Sequence, residues 1–168
     1  AGKLARRDGR YVLPTEVGEA LAGYIHALPD PIKARGLLRP LAWSQGAGLP
    51  WGTLWPRLAT ALARVADTPD TSFDDHDVRT LLDQSGDLVV ESVESGQPVY
   101  RLFHEALAEH LRADTNEQRS HDALAGAMLA LCEGRPWHQV QRYITVNLPR
   151  HLLRAGRMDA LVALLTDP

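Results

Sequence analysis

The chain has 168 residues, of which 45% are hydrophobic and 23% are charged, a composition typical of a globular protein with one domain or two small units sharing a core. The formal net charge of −3 gives no general attraction to nucleic-acid phosphates or anionic lipids. A single cysteine excludes a disulfide framework and a cysteine-rich zinc site. The single cysteine also suits a reducing cytoplasm, where we expect the protein. No apolar run approaches the roughly 20 residues of a membrane span.

The N-terminal third is predicted to be helical after a polar start. The first ten residues are basic and interrupted by glycines, so we expect them to lack stable order. A helix can begin at Thr15 and end before Pro29, with a buried stripe of Leu21, Tyr24, Ile25 and Leu28. Asp30 and Pro31 open a second helix as N-cap and first helical residue, and Pro40 should bend or interrupt it. Its buried face is predicted to contain Leu37, Leu38, Leu41 and Trp43.

Two more helices are predicted before residue 86. One starts near Pro50, and its apolar positions are Leu54, Trp55, Leu58, Leu62 and Val65. The next covers about residues 74–84, where Ser72 and Asp75 have the spacing of a capping box, and Gly86 stands at the C-cap.

The spacing of hydrophobic residues then changes from that of a helix to that of a strand. Residues 88–93 and 99–103 are rich in β-branched and aromatic side chains, and the loop 94–98 predicts that they pair as a hairpin. Helical periodicity returns at 104–112, and further helices are predicted at about 116–132, 137–154 and 157–166. Gly156 would end the third of these four, as in stacked helical hairpins.

Three helices followed by a hairpin is the order of a winged helix, a variant of the helix-turn-helix. The predicted fold is therefore mainly α, with an N-terminal segment and linking helix (1–27), a winged-helix domain (28–113) and a helical, repeat-like region (114–168). In a DNA-binding member the third helix reads bases, but here residues 74–84 contain four aspartates and one arginine. That charge is repelled by phosphates, and it also fits an ordinary helix N-terminus.

The segment 100–112 resembles the end of the winged-helix domain in STAND-type signalling NTPases, which include the NACHT and NB-ARC families. It contains a strand, an aromatic residue, a histidine, an acidic residue and a short amphipathic helix. Residues 35–42 and 46–51 look like the first helices of the same domain in bacterial members. The resemblance covers residues 28–112, and the remainder looks like the helical region that often follows.

In the NB-ARC branch the corresponding motif is Met-His-Asp, and its histidine contacts the β-phosphate of bound ADP in the closed, inactive state. Carried over, the histidine falls on His104, which follows Phe103 and precedes Glu105 in place of aspartate. An imidazole at a strand-to-helix junction can donate to phosphate, more strongly if protonated. The alternative is an interfacial histidine that caps the hairpin or packs on Phe103.

The phosphate-binding loop Gly-x-x-x-x-Gly-Lys-Ser/Thr is absent from this sequence, and Lys3 and Lys33 are its only lysines. We therefore expect a non-catalytic fragment without a cofactor of its own. Separately, the start at Ala1 and the end directly after a helical pattern lead us to expect a piece of a longer chain. The resemblance implies ADP or ATP in the full-length parent and contacts with its NTPase core and sensor or effector domains. It also allows for a homo-oligomer on activation. The alternatives are a winged-helix transcriptional regulator that binds DNA and a protein-interaction scaffold.

Other candidate side chains are interpreted more simply. Trp43, Trp51 and Trp55 are clustered, and an exposed face there would be a protein interface. His121, His138 and His151 have no spacing that converges on a metal ion, so we interpret them as surface or helix-face histidines. No metal site is predicted.

Overall fold

The structure, a computed structural model, describes residues 5–7, 10–12, 15–66 and 71–166. This part of the chain is mainly helical and contains a small antiparallel sheet, which confirms the prediction of an α-dominated fold. The helices are α1 Thr15–His26, α2 Pro31–Trp43, α3 Leu54–Val65, α4 Asp75–Gln84, α5 Glu105–Arg112, α6 Glu117–Cys132, α7 Arg142–Ala155 and α8 Met158–Thr166. Among the described residues, no helix has both the length and the apolarity that a bilayer span requires.

The N-terminal segment contains a short strand pair that the sequence did not predict. Strands β1 (Ala5–Arg7) and β2 (Arg10–Val12) pair in antiparallel fashion. Each strand has three residues, which are too few for an alternating pattern to be detected in the sequence. In α1, Ile25 is buried but Tyr24 is 65% exposed, so the predicted stripe was wrong at Tyr24. The side chain of Leu21 lies outside the described residues.

Helix α2 has the predicted start and the predicted buried face. The Asp30 carboxylate accepts a hydrogen bond from the Lys33 N–H at 2.9 Å, and Pro31 is the first helical residue. The helix is not interrupted at Pro40 and continues to Trp43. Proline in a helix costs about 3 kcal/mol, but each buried leucine of α2 contributes about 1.5–3 kcal/mol. Packing therefore offsets the lost hydrogen bond.

A three-stranded sheet packs against these helices, in the order β3-β5-β4. The strands are β3 (Leu49–Pro50), β4 (Val89–Glu94) and β5 (Gln97–Leu102). The predicted hairpin is confirmed, but its turn has two residues, Ser95 and Gly96, both with positive φ (52° and 79°). This geometry suits a type I′ turn. Strand β3 was not predicted and adds a third strand on the other side of β5.

The cap of α4 differs from the predicted one. Asp74, not Ser72, is the N-cap, and its carboxylate accepts from the Asp77 N–H at 2.9 Å. In return the Asp77 carboxylate accepts from the Asp74 N–H at 3.1 Å. Lys33 holds Asp77 in place through an ion pair of 2.6 Å, which also ties α4 to α2. The C-cap is Ser85, one residue before the predicted Gly86.

Replacing Asp74 with alanine is expected to lower the free energy of unfolding by about 1 kcal/mol, because the reciprocal capping bonds of α4 are lost. Urea denaturation followed by circular dichroism measures this. The matched control is Ser72→Ala: Ser72 is exposed and should change stability by less than about 0.5 kcal/mol. A larger loss in Ser72→Ala than in Asp74→Ala would assign the cap to Ser72 instead.

One hydrophobic core extends through the described residues from α1 to α7. Leu58 of α3 and Leu107 of α5 belong to it, and so do Leu124 of α6 and Leu152 of α7. Helix α6 packs against α3, and α7 packs mainly against α6. Gly156, with φ of 76°, ends α7 in the left-handed conformation, as predicted from its position. Residues on both sides of position 113 thus contribute to the same core.

Candidate functional site

His104 lies where β5 ends and α5 begins. Strand β5 ends at Leu102, and α5 starts at Glu105 with His104 as its N-cap. The backbone of His104 is extended, and its imidazole Nδ1 accepts a hydrogen bond from the Ala106 N–H at 3.0 Å. An accepting Nδ1 leaves the proton of the neutral ring on Nε2. The capping bond therefore selects the tautomer that presents an N–H donor away from the helix.

The donor on His104 has no hydrogen-bond partner among the described residues. The ring is half-buried, and the neighbouring Phe103 is 58% exposed with its ring 6.2 Å from the imidazole. The alternative role of His104, a capping residue beside Phe103, is thus present in the structure. The cap occupies Nδ1 alone and leaves Nε2 available. A proton added at Nδ1 would break the capping bond, so the neutral ring is the form that caps and donates together.

Glu105 binds its own helix and not His104. Its carboxylate forms an ion pair of 2.5 Å with Arg112, seven residues further along α5. The Arg112 guanidinium also donates to the Ala42 carbonyl at 2.8 Å and lies 5.7 Å from the ring of Trp43. Glu105 and Arg112 therefore attach the first turn after His104 to the C-terminal end of α2.

The three tryptophans do not form a shared exposed face. Trp55 is completely buried, and its indole N–H donates to the Leu37 carbonyl at 2.8 Å. Trp43 is 7% exposed. Trp51 is half-buried, donates to the Asp75 carboxylate and lies 6.0 Å from the ring of Tyr100. Trp43 and Trp55 are thus core residues. A protein interface remains a prediction for Trp51 alone of the three.

Two of the histidines interpreted as surface or helix-face residues are buried against each other. His121 of α6 is 2% exposed and His151 of α7 is fully buried, and their Nδ1 atoms are 2.8 Å apart. Burial lowers the pKa of His121, and burial together with the nearby His121 lowers the pKa of His151 to about 4. The ring of Trp43 meets His121 edge-on at 5.1 Å. Sequence reasoning missed the pair because its members are 30 residues apart on different helices.

Two surface depressions lie near these groups. A depression of about 650 Å³ contains Glu105, Trp43 and His121, together with Arg150 and Arg154 of α7. A groove of about 960 Å³ runs between α3 and α6; its lining includes Arg57, Arg64, Arg119, Arg157 and Asp122, together with several small residues. His104 lines neither of them. The described residues contain no group of three or more potential metal ligands.

Comparison of the chain with protein-family models, with curated proteins and with solved structures found no match.

Proposed function

We propose that this chain is a non-catalytic regulatory module of a STAND-type NTPase, composed of a winged-helix unit and a following helical region. The order of elements supports the winged-helix assignment: α2, β3, α3, α4 and then the β4–β5 hairpin. The short strand β3 pairs with β5 at Leu49 and Tyr100, so the wing strands form part of a sheet attached to the helices. A lone hairpin would not be stable without such support.

The observation that carries the proposal is the oriented imidazole of His104. Its Nδ1 accepts a hydrogen bond from the α5 backbone at 3.0 Å, so the neutral ring has its proton on Nε2 and can donate it. A phosphate oxygen is a strong acceptor for such a donor. The ADP phosphate would be bound by the NTPase core of the parent chain, and His104 would contact it from this module.

The surroundings of His104 fit a junction between two modules. Phe103 is 58% exposed, and a neighbouring core packed there would cover it. The Glu105–Arg112 pair connects the same turn to α2 through the Ala42 carbonyl. A displacement of His104 on loss of nucleotide would therefore be passed to α2 as a rigid-body movement.

The charge of α4 argues against the DNA-binding alternative. Asp74, Asp75 and Asp77 lie at the N-terminal end of the helix that would enter the major groove; Asp77 is paired with Lys33 and Asp75 with Arg79, so the three aspartates offer no positive charge to DNA. The described wing adds Glu91 and Glu94. A gel shift with random duplex DNA at low salt, where phosphate contacts are strongest, should give no complex. A stable complex would favour the transcriptional-regulator alternative.

The role of His104 is tested in the complete parent protein by measuring the adenine nucleotide that stays bound after purification. His104→Ala is expected to reduce retained ADP at least about tenfold, which corresponds to the loss of one charge-assisted hydrogen bond. His104→Asn separates sensing from capping, because the asparagine side chain can still cap α5 but lacks the Nε2–H. We expect it to lose ADP as well.

The matched control is His76→Ala, since His76 is an exposed histidine on α4 and should leave ADP retention unchanged. If His104→Asn retains as much ADP as the wild type, His104 is a cap and not a nucleotide sensor. A parent protein that binds no adenine nucleotide would overturn the whole assignment.

A further inference from the structure

The buried pair of His121 and His151 joins α6 to α7. A hydrogen bond between two Nδ1 atoms at 2.8 Å needs one ring to donate and the other to accept, so the pair holds one proton at this contact. The Nε2 of His121 is 3.8 Å from the Glu117 carboxylate, and the Nε2 of His151 is buried without a hydrogen-bond partner. These surroundings favour His121 as the Nδ1 acceptor with its proton on Nε2, and His151 as the donor.

An additional proton has no good location in this arrangement. On Nδ1 of His121 it would place two N–H groups against each other at 2.8 Å. On Nε2 of His151 it would create a buried charge without a partner, which is strongly unfavourable. The closed form of the pair therefore excludes a proton that an exposed imidazole would accept.

The charges that face the pair do not compensate for such a proton. Glu117 of α6 is already bound to Arg154 of α7 at 2.7 Å, and Glu105 of α5 is bound to Arg112. The neighbouring element α2 contributes the neutral ring of Trp43. The depression of about 650 Å³ that contains His121 is lined by the charged residues Glu105, Glu109, Arg112, Glu117, Arg150 and Arg154. Of the acids, Glu109 alone has no ion-pair partner among the described residues.

We propose that the His121–His151 pair is an acid-sensitive latch, which at mildly acidic pH increases the opening of α7 and α8 away from α6 while the rest of the fold stays intact. Leu124 of α6 and Leu148 and Leu152 of α7 are all buried in the same core, but α6 also packs on α3, so the opening is confined to α7 and α8. Helix α7 packs mainly on α6 and α8. The proposal does not depend on nucleotide binding.

The direction of the pH dependence follows from the pKa values. Burial lowers the pKa of both histidines, that of His151 to about 4, whereas a free histidine titrates at about 6.5. The released state therefore binds more protons below that pH. The latch is fully stable above about pH 6.5, and each histidine raises the opening constant up to about tenfold for each pH unit below it, until its folded pKa is reached.

Hydrogen exchange of the 168-residue chain at pH 7.5 and 5.5, corrected for intrinsic exchange rates, tests the latch. We expect the opening constant of α7 to be about tenfold to a hundredfold higher at pH 5.5, since each histidine contributes up to about tenfold, with no comparable change in α3. His110 of α5 also has a pKa lowered by burial, but it lies outside α7 and does not contribute to this signal. Unchanged protection of α7 in the wild type would refute the proposal.

The double variant His121→Asn and His151→Asn removes both titrating groups and retains amides that can bond across the contact. Its α7 protection should not depend on pH, whereas His138→Asn, at an exposed position, should respond like the wild type. A double variant with the full wild-type response would also refute the latch. If the double variant does not fold, the wild-type exchange data and the imidazole 15N shifts decide: two neutral rings with one Nδ1–H at pH 7.5 are expected, and a charged ring would contradict the proposal.

Discussion

Substitution of Trp55 by alanine is expected to destabilise the protein by about 3–5 kcal/mol, the range for removing a large buried aromatic side chain. Trp55 has no exposed surface, and it connects three elements. It lies in α3, donates to the Leu37 carbonyl of α2 at 2.8 Å, and its ring is 5.5 Å from that of Tyr100 in β5. Its removal would leave a cavity where helices and sheet meet.

The loss is measured by urea denaturation, and Trp55→Phe is the matched control. Phenylalanine retains most of the apolar volume and removes the N–H donor, so the Leu37 carbonyl loses a partner at a cost of about 1–3 kcal/mol. The two variants together separate packing from hydrogen bonding. A loss below about 0.5 kcal/mol in Trp55→Ala, the size typical of a surface change, would mean that Trp55 is not at the centre of the core.

Substitution of Gly48 by alanine is expected to cost about 3 kcal/mol, because a strained backbone and a steric overlap act together. Gly48 has a φ of 144°, a region that favours glycine. An added Cβ would lie 2.5 Å from the Tyr100 backbone oxygen, next to the pairing of Leu49 with Tyr100. The methyl group would push β3 away from β5.

Gly52→Ala provides the control for Gly48→Ala. Gly52 also has a positive φ, of 96°, but no heavy atom lies within 4 Å of its added Cβ. It should therefore show the backbone strain alone, about 1–2 kcal/mol. Thermal and urea unfolding of both variants gives the difference. Equal destabilisation would show that the close approach of β3 to Tyr100 does not matter, and it would weaken the argument for a three-stranded sheet.

Elements whose hydrophobic pattern continues over many residues could be predicted from the sequence. The buried face of α2, the position of α5 after the hairpin and the end of α7 at Gly156 all follow from local patterns that repeat over several turns. The hairpin was also predictable, since both strands contain runs of β-branched residues. In these segments local preference and tertiary packing agree.

Features that arise from contacts distant in sequence were missed. Strand β3 has two residues, and it is a strand only because Tyr100, some fifty residues later, pairs with Leu49. The N-cap of α4 is Asp74 and not the predicted Ser72, and one tertiary contact that favours this cap is the ion pair of 2.6 Å between Lys33 of α2 and Asp77. Such choices depend on tertiary neighbours and not on local spacing.

In the candidate site, too, some features follow from local sequence patterns and others depend on contacts distant in sequence. The position of His104 between strand and helix follows from the change of hydrophobic period, but its use of Nδ1 as the helix cap depends on the local backbone. The burial of Trp43 and the pairing of His121 with His151 need the packing of α2, α6 and α7. No pattern within one helix predicts a contact between two helices.

The most direct measurement for the proposed function is the structure of the complete parent protein with ADP bound. The proposal predicts an upstream phosphate-binding core, with the Nε2 of His104 about 3 Å from a phosphate oxygen and Phe103 covered by that core. An ADP-bound structure in which the His104 ring faces solvent, or a parent chain without a nucleotide-binding core, would contradict it.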